Sequence, residues 1–121
     1  MKFVKVVKKE RDCEKVLINK GAYLTKTWLL AKGLMFTFKI KFPLIFEFKS
    51  ERVISLHMVF VFYPIDVIFL NSEKKIVDLK ENFKPFSFYN SKAKAKYAIE
   101  VGNGSIKKYN LQINDLLDFK E

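Results

Sequence analysis

From Val53 to Leu70 the chain carries a single formal charge, Asp66, and this stretch constrains the fold more than any other. It is about as long as the shortest membrane-spanning helices, but Pro64 would break a helix inside it, and an Asp near the centre of a span costs about 2.5–3.5 kcal/mol on insertion. A membrane span is therefore not expected. Two buried strands joined at Tyr63-Pro64 account for the run better. In its second half Ile65, Val67 and Phe69 alternate with Asp66, Ile68 and Leu70, so both faces are largely apolar, as in strands covered on both sides.

The same strand language extends in both directions. Phe3-Val4-Lys5-Val6-Val7 reads as a first strand, followed by a charged turn over residues 8–14. Val16-Leu17-Ile18 reads as a short second strand that Gly21 ends. Thr25 is a plausible N-cap for a short helix through Trp28, Leu29, Leu30 and Ala31, with Gly33 at its exit. Leu44, Phe46 and Phe48 fall on one strand face, and Ile54, Leu56, Met58, Phe60 and Phe62 on another. Asn71-Ser72-Glu73-Lys74 is a polar turn into Lys75-Ile76-Val77-Asp78-Leu79, which makes a hairpin. Residues 80–92, with Pro85, Phe86, Phe88 and Tyr89, read as a long ordered loop whose aromatics pin it to the core or contact a partner. Residues 94–101 alternate as a strand stopped by Gly102-Asn103-Gly104. Ser105 is expected to cap a last helical turn through Tyr109, and Leu116-Leu117-Asp118-Phe119 closes the chain as a strand. The expected fold is mainly β, a β-sandwich or jelly-roll-like barrel of about eight strands with two short helices.

With 121 residues, half of them hydrophobic, and with 13 Phe and 5 Tyr, the chain has apolar surface for one core and fits a single domain. Cys13 is the only cysteine and His57 the only histidine, so neither an intrachain disulfide nor a familiar four-ligand zinc set is expected. The lysine-studded N-terminus lacks the apolar core of a secretory signal, and a cytoplasmic location is expected. No cofactor is implied. The net charge of +10 invites nucleic-acid binding, yet only Arg11 and Arg52 supply the guanidinium fork that recognition favours, and the many lysines are scattered. Nucleic acid is thus a possible partner but not the favoured one.

Several pieces in order resemble a family known as domain of unknown function 192, or uncharacterised protein family 0127. They are Gly33-Leu34-Met35-Phe36, Met58, the strand from Pro64 to Leu70 with its Asp66, Asn82 and Pro85, Tyr89 and Ser91, the strand from Ala95 to Glu100, and Asp115. The similarity covers about Thr25 to Phe119. Soon after the Leu-Met pair, where the family usually has a basic residue, the chain has Thr37 or, shifted, Lys39. It also departs from the family pattern at His57, where the family favours an aromatic, and at Val59-Phe60-Val61, where the family has a polar Lys-Asn-Thr run. The resemblance implies a compact β-sandwich or jelly-roll-like barrel and no particular activity.

Asp66 is the first candidate functional residue, because a carboxylate in so apolar a strand costs energy unless it is paired or hydrogen-bonded. It either orients a ligand or takes a proton, or else it accepts backbone N–H groups from a neighbouring turn, and the second is the more economical reading. His57 is the only imidazole available to pair with it. If the strands reverse at Tyr63-Pro64, however, His57 lies two to four residues from the position opposite Asp66, too far for a hydrogen bond at about 3.3 Å per residue. Met35 and Met58 can line an adaptable apolar pocket or simply fill the core. With Asn82 these residues make the expected ligand-binding set: Asp66, His57, Met58, Met35 and Asn82. Cys13 reads as an incidental exposed thiol. The leading expectation is a non-catalytic module, monomeric or homodimeric, that binds a small molecule or a protein segment. The alternatives are an enzyme using Asp66 and non-specific nucleic-acid binding through the lysines.

Overall fold

The computed structural model describes residues 2–25, 43–57 and 63–121. Within them the chain forms nine strands and one short helix: β1 (Lys2–Lys9), β2 (Glu14–Leu24), β3 (Leu44–Arg52), β4 (Ser55–His57), β5 (Ile65–Leu70), β6 (Ile76–Phe83), β7 (Phe88–Asn90), β8 (Ala95–Gly102), α1 (Ser105–Lys108) and β9 (Leu116–Lys120). Seven strands make one sheet in the order β6-β5-β8-β3-β2-β1-β9, and β4 with β7 makes a separate two-stranded ribbon. Every pairing is antiparallel except β2 with β3.

The sheet curls until its two outer strands touch at one end. Lys75 bridges Leu116, Ile76 N–H donates to the Asp115 carbonyl, and Leu117 N–H donates to the Lys74 carbonyl. No ladder continues from there among the described residues, so the sheet is not a closed barrel. The mainly β class holds, and the further detail of a sandwich or jelly roll is not what these contacts display.

The alternation in β5 and β8 sorts the core into two layers. Ile68 and Leu70 join Tyr97, Ile99 and Val101, together with Val6, Ile45, Ile76, Ile106 and Leu117, in a cluster that draws on all seven strands and fills the inside of the curl. Ile65, Val67 and Phe69 face the other way with Ala98, Phe46 and Phe48. There the ribbon side covers them through Ile54, Leu56 and Tyr89. All six residues of β5 are buried, in agreement with a strand covered on both sides. Edge-to-face contacts of Phe119 with Tyr97 and Tyr23 close the inner layer near β9.

Several local expectations are corrected. Strand β5 does not pair with the segment before Tyr63-Pro64: its two edges are taken by β6 and β8, and β4 pairs with β7 instead. Gly21 does not end β2. The strand runs on to Leu24, and a Cβ on Gly21 would stand 2.8 Å from Ile45 Cδ1, so the glycine serves close packing inside the sheet. The long loop of residues 80–92 is largely strand, since β6 reaches Phe83 and β7 begins at Phe88. Among the described residues the helix content is the four-residue α1 alone; the helix expected beyond Thr25 lies outside the described residues.

Candidate functional site

Asp66 is fully buried near one end of β5, on the inner face with Ile68 and Leu70. Its Oδ1 accepts the Asn82 N–H at 3.0 Å, and its Oδ2 accepts the N–H groups of Gly104 at 3.1 Å and Ile106 at 3.0 Å. Local backbone geometry aims each donor. The β5–β6 register slips between Ile65 and Val67, whose partners are Phe83 and Lys80, so β6 carries an extra residue opposite Asp66. Asn82 sits in that bulge at φ 50°, a left-handed conformation that asparagine tolerates. Gly104, at φ 92°, turns the chain from β8 into α1 and occupies the N-cap position with no side-chain cap of its own. The capping is supplied from β5: Asp66 satisfies two N–H groups at the start of α1 that would otherwise lack partners. Ser105 is not the cap, since its hydroxyl donates to the Gly102 carbonyl. Asp66 therefore fastens three chain segments together through main-chain groups.

A second buried carboxylate, Asp78, braces the ribbon in the same way. Its Oδ2 accepts the Tyr89 hydroxyl at 2.5 Å and the Lys92 N–H at 2.9 Å, and its Oδ1 accepts the Leu79 N–H. Burial, and then the bond to Asp78, holds the Tyr89 hydroxyl well above the usual phenol range. Tyr89 thus pins its segment, packing against Phe69 and Phe83, whereas Phe86 and Phe88 are exposed.

Glu100 differs from both. It lies in β8, an interior strand of the sheet, directly across from Val67 of β5 and Leu44 of β3. The register continues as one row across the sheet, Lys80, Val67, Glu100, Leu44, Ala22 and Phe3, in which Glu100 has an apolar residue on either side and the other polar residue, Lys80, stands two strands away. It points to the outer face with Ala98 and Val67. Its relative exposure is 9%, and no hydrogen bond or ion pair reaches its side chain among the described residues. Burial alone pushes its carboxyl up to about 8. At neutral pH the group is chiefly a neutral carboxylic acid, able to donate one hydrogen bond.

Of the residues expected to bind a ligand, the structure brings Asp66 and Asn82 together among the described residues, and it joins them through the Asn82 backbone, leaving the Asn82 side chain exposed. The backbone of His57 pairs with Phe88 in the ribbon. Met35 and Met58 lie outside the described residues. Cys13 is exposed, as its charged neighbours suggested. Glu100 escaped the sequence reading because alternation groups it with Lys96 and Ala98, a face that reads as partly wet. Among the described residues no cluster of three or more His, Cys, Asp or Glu side chains is placed to hold a metal ion, and no helix is long and apolar enough to cross a membrane.

A profile of the DUF192 family, described as "Uncharacterized ACR", matches residues 22–119, a span that includes Asp66, Asn82 and Glu100. The chain belongs to the DUF192 family. Relatives named UPF0127 protein agree. The one from Thermococcus sibiricus is 42% identical over 91 residues, covering 74% of this chain and 58% of the relative. The one from Pyrococcus furiosus is 43% identical over 89 residues, covering 72% of this chain and 75% of the relative. The chain thus spans little more than half the length of the Thermococcus sibiricus protein. Two solved structures share this fold at 18% identity. A candidate transcription regulator from Sinorhizobium meliloti superposes with a TM-score of 0.81 over 98% of this chain and 94% of its own. A protein of unknown function from Novosphingobium aromaticivorans gives 0.80 over 96% and 84%.

Proposed function

We propose that this DUF192 chain is a non-catalytic binding module, working in the cytoplasm, whose ligand site is the outer sheet face around Glu100. One observation carries the reading: a carboxyl more than nine-tenths buried between the apolar side chains of Val67 and Leu44, with no partner among the described residues. Burying a polar group without a hydrogen bond is costly, and such groups in native proteins call for an explanation, of which a ligand is one. Asp66 and Asp78 show what this fold does with structural carboxylates: it surrounds each with N–H and O–H donors. Glu100 lacks that support, which favours it over Asp66 as the group reserved for a ligand. A small molecule suits the site better than a protein segment, because Glu100 stands on an interior strand rather than at an edge where a strand could add.

The test is native mass spectrometry of the protein isolated gently from its own cells, compared with its denatured mass, beside a Glu100→Leu variant expressed in the same cells. A reproducible excess mass on the unmodified protein, lost from a variant with unchanged circular dichroism, is expected. The same excess on both proteins, or none on either, would remove Glu100 as the ligand group.

A further inference from the structure

We propose that the ligand received at Glu100 is a small neutral molecule with an apolar body and one oxygen acceptor, a ketone, ester or amide, which accepts a hydrogen bond from the Glu100 carboxylic acid. The inference rests on the binding-module reading above and names the chemical class that the site would take.

The argument is one of charge and neighbours. The groups flanking Glu100 across the sheet, Val67 and Leu44, are apolar and fully buried, as is Ala98 on its own strand and face. On β5 the outer face offers Ile65, Val67 and Phe69, and on β3 it offers Leu44, Phe46 and Phe48, none of them titratable. On β8 the nearest charged side chain along the strand is Lys96, four residues and about 13 Å away, and its ammonium pairs with Glu47 at 3.6 Å and lies over the Tyr97 ring of the inner layer. On β6, Lys80 stands across from Val67, two strands from Glu100 and about 10 Å off, with its ammonium over the Tyr89 ring. No described cation therefore supports a carboxylate at Glu100, and burial keeps the acid protonated at neutral pH. A cationic ligand would have to ionise this acid and shed its own hydration between apolar side chains, against the field of a chain with net charge +10. An anionic ligand would lose its hydration with no described cation to replace it. A neutral acceptor needs neither, and it fills the unmet hydrogen-bonding capacity of Glu100.

The experiment is a titration of the full chain, followed by the carbon resonance of the Glu100 carboxyl, with 2-pentanone, butyramide and n-butylammonium as probes of similar size. The two neutral probes are expected to shift the Glu100 resonance and the ammonium is not. Their affinity should be level at neutral pH and fall about tenfold per pH unit well above pH 8, as the acid ionises. In Glu100→Gln, whose amide still donates, binding of the neutral probes should persist, now read from the backbone amides of Val67 and Leu44, with the pH dependence gone; in Glu100→Leu it should be lost. Preferential binding of n-butylammonium, strengthening with pH and abolished in Glu100→Gln, would overturn the neutral class while leaving a ligand site at Glu100. If no probe moves the resonance, the inference fails, and the native mass comparison decides separately whether the binding-module reading fails with it.

Discussion

Asp66 and Glu100 stand on two adjacent, hydrogen-bonded strands in neighbouring register rows, Asp66 opposite Val101 and Glu100 opposite Val67, yet their carboxyl groups leave the sheet on opposite faces. The inward one is saturated with three backbone N–H donors and the outward one has none among the described residues. One strand pair thus holds a carboxylate used as mortar and a carboxyl held in reserve, and the two should answer differently to substitution.

Asp66→Ala should be among the most damaging single changes. It strands the N–H groups of Asn82, Gly104 and Ile106 in or beside the core, and leaving buried donors unsatisfied costs about 1–3 kcal/mol each before relaxation. A loss of about 3–5 kcal/mol in urea unfolding is expected, with faster amide hydrogen exchange at Gly104 and Ile106. A loss under 1 kcal/mol would show that these bonds do not hold β6 and α1 in place.

Glu100 makes stability depend on pH in the direction opposite to that of a paired carboxylate. Its folded value of about 8 lies above the unfolded value of 4.5, so between those limits the unfolded chain gives up the proton first. Its contribution is full below pH 4.5, declines as pH rises towards 8, and is gone above that, for a total of a few kcal/mol. Glu100→Gln should flatten this slope in thermal or urea unfolding between pH 5 and pH 8. An unchanged slope would mean that the Glu100 carboxyl is not held protonated by burial.

Tyr89→Phe removes one hydroxyl from Asp78, leaving the Lys92 and Leu79 N–H groups on that carboxylate. The ring still packs on Phe69 and Phe83, so a modest cost of about 1–2 kcal/mol is expected. Hydrogen exchange should quicken at Lys92 and along β7, and leave β1 and β2 alone. A global change in exchange would contradict this local role.

Gly21→Ala places a methyl 2.8 Å from Ile45 Cδ1 and 3.3 Å from Ile18 Cγ2. Ile45 is wholly buried and has little room to turn, so overpacking of about 1–2 kcal/mol should outweigh the roughly 0.5–1 kcal/mol that alanine gains over glycine in a strand. Denaturant unfolding checks the sign. A stabilised variant would mean that the Ile45 side chain yields freely.

By itself the sequence determined what depends on local period and composition. The faces of β5, with Ile65, Val67 and Phe69 against Asp66, Ile68 and Leu70, were legible because side chains alternate along any strand, whatever its partners. The hairpin at residues 71–74 was legible because asparagine and serine fold turns through their own side chains, as the Asn71 Oδ1 does in accepting from Glu73 and Lys75. The cost of a carboxylate beside Ile65 and Val67 follows from chemistry alone, and it called for donors of the kind that Asp66 has.

Only the tertiary structure decided which donors these are, because they come from 16, 38 and 40 residues further along the chain. Strand partners are equally non-local. Nothing within β5 says that its edges belong to β6 and β8 rather than to the segment before Pro64, since backbone hydrogen bonds carry no label of sequence. Glu100 shows the same limit. Alternation fixes which face its side chain takes, but whether that face is wet or buried depends on what the fold packs over it, as Ile54, Leu56 and Tyr89 pack over Val67 and Ala98. Burial is a property of the neighbours that the fold brings in, and it turns an ordinary glutamate into an acid that keeps its proton.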